Sequence, residues 1–132
     1  MAIPVVRIIL YVKNIPKVAD FYQRHFGLRS RPSSEKGWLE MAGAGCDIAL
    51  HQAATTQKSG AAMKIVFGVP DVRKFKKERE RDGLRFGPVH DAGDFAFANA
   101  KDPAGNSVQI SSRGINRGSG TSLPSRAPTS PR

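Results

Sequence analysis

Along residues 15–26 the apolar side chains Val18, Phe21, Tyr22 and Phe26 recur at i, i+3, i+4 and i+8, the stripe of a helix with one buried face. Asn14 supplies a side-chain cap at its start, Pro16 suits the first turn, and Gly27 suits the left-handed residue that ends it. Tyr22 and Phe26 are accordingly assigned to the core. A second helical pattern covers residues 72–82, with Asp71 as cap and Gly83 as stop, but its apolar positions thin out to Val72, Phe75 and Leu84. This helix should pack shallowly. The runs 5–12 and 65–69, dense in Val and Ile, are too short for helices and read as strands. Further strands are expected at 37–41, 46–52, 95–100 and 107–111, the first two of these joined by the glycine turn 42–45. Phe95 and Phe97 alternate onto one face of their strand, where Phe67 and Phe86 are expected to meet them.

These signals occur twice. Val12-Lys13-Asn14-Ile15 is echoed 57 positions later by Val69-Pro70-Asp71-Val72, Gly27 is echoed by Gly83, and the strand after Gly45 by the strand after Gly105. Landmarks in the same order at nearly constant spacing indicate a duplicated β-α-β-β-β module, and hence an α+β fold. The modules are placed at residues 3–52 and 61–112, with a polar linker at 53–60. Residues 113–132 hold four arginines, no acid and many Ser, Pro and Gly, and read as a disordered basic tail.

That tail accounts for part of the net charge of +10. Another part lies on residues 73–81, where acids alternate with bases as on a solvated helix face, and no nucleic-acid recognition motif accompanies them. Nucleic acid is therefore not expected as a partner. No apolar run approaches the roughly 20 residues of a membrane span, and the first residues lack the pattern of a secretory signal, so a cytoplasmic protein is expected. The single cysteine, Cys46, excludes an internal disulfide and a cysteine-based zinc site; it has no basic neighbour in sequence and reads as an unreactive strand residue.

Tyr11-Val12-Lys13-Asn14, Phe21-Tyr22-Gln23-Arg24-His25-Phe26-Gly27-Leu28, and Asp102-Pro103-Ala104-Gly105-Asn106 before the last strand together resemble the glyoxalase, bleomycin-resistance and extradiol-dioxygenase superfamily, also called the vicinal oxygen chelate superfamily. The resemblance covers residues 3–112. It implies two tandem modules forming a curved mixed sheet around a cleft, and a homodimer. Members of this superfamily hold a divalent metal through His, Gln or Glu, and the metal acts as a Lewis acid on vicinal substrate oxygens. The resemblance maps the ligand positions onto Arg7, Lys64, Gln109 and Ala49. A guanidinium and an ammonium offer no lone pair at neutral pH and Ala has no donor atom, which leaves Gln109 alone. The mapping implies a chain without metal or other cofactor, unless Glu40, Asp47 and His51 on adjacent strands build a substitute metal site.

By the same resemblance Arg7, Ile9 and Tyr11 face the cleft, as do Lys64, Val66, Gly68, Ser107, Gln109 and Ser111. The candidate ligand-binding residues are Arg7, Ile9, Tyr11, Trp38, Glu40, Ala49, Lys64 and Gln109; no catalytic residue is assigned. Two cations stand where the resemblance places metal ligands. Either they grip a carboxylate or phosphate, Arg7 with its planar fork and Lys64 as a point charge, or they pair internally with Glu40 or Asp47. Trp38 either stacks on a planar ligand or covers a dimer seam. The leading expectation is a metal-independent protein that binds a small anionic or aromatic molecule for sequestration or sensing. The alternatives are a glyoxalase-like lyase or dioxygenase with a nonstandard metal site, and a metal-free enzyme using Arg7 or Lys64 as electrophile, acid or base with Glu40 beside it.

Overall fold

The computed structural model describes residues 2, 5–54 and 63–115; the rest of the expected linker and the tail beyond Ile115 lie outside the described residues. The elements run β1 (Arg7–Val12), α1 (Ile15–Phe26), β2 (Arg29–Ser30), β3 (Trp38–Ala42), β4 (Asp47–Gln52), β5 (Ile65–Gly68), α2 (Val72–Arg81), β6 (His90–Asp91), β7 (Ala96–Lys101) and β8 (Ser107–Ser111). They build two four-stranded mixed sheets of the same topology, β1-β4-β3-β2 and β5-β8-β7-β6. In each sheet the first strand runs parallel to the last, as β1 with β4 and β5 with β8. The duplication read from sequence is thus a duplication of topology. The second strand of each repeat is only two residues long, too short to carry a period.

The chain divides into two compact units, one comprising residues 3–63 with 101–106, the other 64–100 with residues from 107 onward. In the first unit α1 packs on β3 and β4. Its stripe buries Ile15, Val18, Ala19, Phe21 and Tyr22 in one core with Leu10, Val12, Met41, Ile48 and Leu50. The helix ends are sealed as the sequence predicts: the Lys17 N–H donates to Asn14 Oδ1 at 3.1 Å, and Gly27 takes the left-handed φ of 72°. Phe26, expected in the core, is half-buried at the end of the helix.

In the second unit the core comprises Val69, Val72, Leu84, Phe86, Ala98, Val108 and Ile110. Within α2 only Val72 is buried, and Phe75 lies half-buried with the Arg79 guanidinium 5.9 Å from its ring centre. The shallow packing follows from the sparse apolar positions. Phe86, expected beside Phe95 and Phe97, instead meets Phe75, with ring centres 6.4 Å apart. The chain does not leave the fold at residue 113, as composition suggests, because Ile115 N–H donates to the Ser112 carbonyl at 3.0 Å and closes a turn.

The turn Asp102-Pro103-Ala104-Gly105-Asn106 between β7 and β8 belongs to the first unit, and its carboxylate is fully engaged there. Asp102 Oδ1 accepts from the Ala104 and Asn106 N–H groups, both at 2.8 Å. Its Oδ2 accepts from Asn106 Nδ2 at 3.0 Å and from the Tyr22 hydroxyl at 2.7 Å. Burial, and then the charge and hydrogen bond of Asp102, push the Tyr22 phenol far above its ordinary range, so it is always the donor. Tyr22→Phe keeps the ring and removes one donor from a buried carboxylate. It should cost about 1.5–3 kcal/mol in urea-induced unfolding, and a loss within error of zero would show that water replaces the hydroxyl.

Candidate functional site

On the first sheet, strand register decides which candidates meet. Parallel pairing sets Arg7 beside Asp47, Ile9 beside Ala49 and Tyr11 beside His51, and antiparallel pairing sets Glu40 beside Ala49 and Trp38 beside His51. Arg7, Ile9, Tyr11, Trp38, Glu40 and Ala49 therefore share one face of the sheet. Ile9 and Tyr11 stand exposed there, while Leu10 and Val12 point into the core. Arg7 Nε donates to Glu40 Oε2 at 2.9 Å, and the Glu40 carboxylate is only 13% exposed. Beside this pair, Arg31 grips Asp47 with two parallel bonds of 2.5 and 3.1 Å. The Arg7–Glu40 pair is one of the two arrangements open to Arg7 in the sequence. Arg31 was not legible as a site residue, because it follows the two-residue β2.

Next to this ion network lies an aromatic group. The Tyr11 and His51 rings are 5.0 Å apart, and the Trp38 ring stands perpendicular to His51 at 6.1 Å. His51 Nδ1 lies 2.9 Å from the Gln52 carbonyl, which can only accept, so when the ring is neutral its proton sits on Nδ1 and Nε2 keeps a lone pair. The residues do not fit a metal. Glu40 and Asp47 are each bound by a guanidinium, Arg7 and Ala49 donate no lone pair, and among the described residues no three His, Cys, Asp or Glu side chains are grouped to hold an ion.

On the second sheet Lys64, just before β5, and Gln109 of β8 are brought together by a residue that the sequence reading missed. Asn99 Oδ1 accepts from Lys64 Nζ at 3.2 Å and from Gln109 Nε2 at 2.9 Å. An ammonium can only donate, so the Asn99 oxygen must face Lys64, and Gln109 must then present its NH₂ to the same oxygen. Asn99 lies 59 positions after Glu40, and it takes Lys64 as Glu40 takes Arg7. The repeat spacing carried that signal. Among the described residues no carboxylate lies within 4.0 Å of Lys64. Lys64 is exposed. Along the same face the His90 and Phe97 rings stack at 4.9 Å, and Phe95 and Phe97 at 6.2 Å.

The Arg31 hydrogen bonds first, together with the Gly43 N–H bond and the Arg31 charge, hold the Asp47 carboxyl well below its ordinary value of 3.8. A folded-state value below the unfolded one adds stability at all pH above 3.8, and this contribution disappears as pH falls through the lowered value. Asp47→Asn should therefore melt below the wild type at pH 7, with a gap that stays constant down to about pH 4 and narrows in stronger acid. A gap independent of pH from 2 to 7 would show that the carboxylate charge is not its source.

The fold and the residues can now be set against known proteins. The family model described as the Glyoxalase/Bleomycin resistance protein/Dioxygenase superfamily matches residues 5–110. No match is found among curated proteins. Among solved structures the chain is similar to the fosfomycin resistance protein FosX from Listeria monocytogenes, with 19% identity, a TM-score of 0.72, and coverage of 84% of this chain and 93% of that one. It is similar to a lactoylglutathione lyase from Agrobacterium tumefaciens, with 17% identity, a TM-score of 0.66 and coverage of 83% and 93%. It is also similar to TnmS3, an antibiotic binding protein from a Streptomyces species, with 21% identity, a TM-score of 0.66 and coverage of 83% and 96%. At these identities the structures speak for the fold, the family match spans most of the sequence, and the chain belongs to the glyoxalase/bleomycin resistance protein/dioxygenase superfamily.

Proposed function

We propose that this chain is a cytoplasmic, metal-independent protein that binds a small anionic molecule with an aromatic body, in sequestration or sensing, and that it works as a homodimer. The observation that carries the reading is the Lys64 ammonium, whose acceptor among the described residues is the neutral Asn99 amide. In the first unit the equivalent cation, Arg7, is neutralised by Glu40. Among the described residues no carboxylate pairs with Lys64, and the NH₂ groups of Asn99 and Gln109 add further donors beside it. A carboxylate matches this set in sign and in number of acceptors. Exposed Val66, which pairs with Gln109, and Phe97 on the neighbouring strand give the attached ring an apolar floor. Metal independence is supported by the donor chemistry of Arg7, Ala49, Lys64 and Gln109. The fold is also that of TnmS3, an antibiotic binding protein.

Calorimetric titration with benzoate and with benzylammonium tests the reading. Benzoate should bind and benzylammonium should not; Lys64→Met should weaken benzoate about fivefold, the worth of about 1 kcal/mol for an exposed charge contact, and Arg7→Met should change it less. Equal binding of the two probes, or an unaffected Lys64→Met variant, would overturn it. For assembly, support comes from β1, an edge strand preceded by Val5 and Val6, which are 71% and 56% exposed. Sedimentation equilibrium should give twice the chain mass of 14.3 kDa, and Val6→Glu should shift the protein toward that single-chain mass. A monomeric wild type would exclude the dimer.

A further inference from the structure

Past β8 the chain turns back over its own sheet. Residues 112–115 close the turn from Ile115 N–H to the Ser112 carbonyl at 3.0 Å, with Gly114 at the φ of 75° that its third residue requires. The Arg113 N–H donates to Ser111 Oγ at 3.1 Å, and its guanidinium lies 5.0 Å from the centre of the Phe95 ring. Ile115 lies on Gly68, where an added Cβ would stand 2.5 Å from Ile115 Cδ1 and 3.1 Å from its Cγ1. The φ of Gly68 is not positive, so its backbone does not demand glycine, and the missing side chain serves as a seat for Ile115.

Lys64, Val66 and Gly68 alternate onto one face of β5, and Phe95, Phe97 and Asn99 onto one face of β7. The turn therefore crosses the same face that carries the Lys64–Asn99–Gln109 donors, four residues and about 13 Å along the strand from Lys64. The first repeat has Tyr11 where the second has Gly68, and Tyr11 is 44% exposed. Among the described residues, the end of the face is covered in the second repeat, by a residue from outside the duplicated module.

We infer that Ile115, seated on Gly68 and held there by Arg113 on Phe95, is the end wall of the second unit's face and limits the length of ligand it accepts. The inference rests on the reading that Lys64 holds the anionic head. A one-ring acid fits between head site and wall, and a second ring in line with the first runs into Ile115.

Titrating wild type, Ile115→Ala, Arg113→Ala and Lys64→Met with benzoate and biphenyl-4-carboxylate tests it. Without a wall the larger acid binds more tightly, because it buries more apolar surface. The wild type should instead prefer benzoate, Ile115→Ala should raise affinity for the biphenyl acid at least tenfold with benzoate unchanged, and Arg113→Ala, which frees the same turn without touching Ile115, should do so less strongly. Unchanged melting temperatures establish that the variants fold. If both turn variants keep the wild-type ratio of the two affinities, the wall is overturned even though the anion reading stands. If the wild type does not bind benzoate, or Lys64→Met binds it as well as wild type does, the anion reading fails and takes the wall with it.

Discussion

The Asp102 carboxylate is the constraint on which the geometry of the second sheet depends. A buried carboxylate is costly unless its lone pairs are filled, and here two backbone N–H groups, one side-chain amide and one phenol fill them. That requirement accounts for the residue types of its turn. Asp102 is the acceptor, Pro103 fixes the first dihedral and donates nothing, Gly105 takes a φ of 89°, and Asn106 donates twice. The turn releases the chain directly into β8, which lies between β5 and β7. Its register thereby sets Gln109 beside Val66 and within reach of Asn99. A slip of one residue would turn Gln109 toward the core and Val108 toward solvent.

The two repeats use one geometry for opposite electrostatic ends. Each places a cation at the start of its first strand and an acceptor on its third strand. In the first repeat the acceptor is Glu40, and Arg31 with Asp47 extends the pair into a network with two charges of each sign. In the second the acceptor is Asn99, and the charge of Lys64 is left over. An amide in place of a carboxylate keeps a hydrogen-bond acceptor for the cation and removes the neutralisation. The two repeats thus share a topology, and differences at equivalent positions, Glu40 against Asn99 among them, make their faces unlike.

Most of the fold was legible because its signals are local and periodic. The α1 stripe, the caps Asn14 and Asp71, and the glycines after each helix fix element type and ends without knowledge of the tertiary structure. The two-residue β2 and β6 were not legible, since two residues carry no period and exist as strands only through β3 and β7. The site was read less completely for a related reason. Arg7 and Lys64 stood out as charges within apolar runs, whereas Asn99 is a neutral residue whose importance comes from a cross-strand neighbour. The turn that ends at Ile115 was hidden by composition, because residues 113–115 stand at the head of a Ser-, Pro- and Gly-rich stretch.

A lysine in place of a metal ligand changes what a face can do, and magnitudes show how. A divalent metal polarises the oxygens that it binds, whereas an exposed ammonium attracts them with a single, hydrated charge. Such a contact in water contributes about 0–1 kcal/mol, too little by itself to hold a small molecule at micromolar concentration, which takes about 8 kcal/mol. Burying an aromatic side chain contributes about 1.5–3 kcal/mol. In the proposed reading Lys64 therefore selects the sign of the ligand, and the greater share of the affinity comes from apolar surface such as Val66 and Phe97.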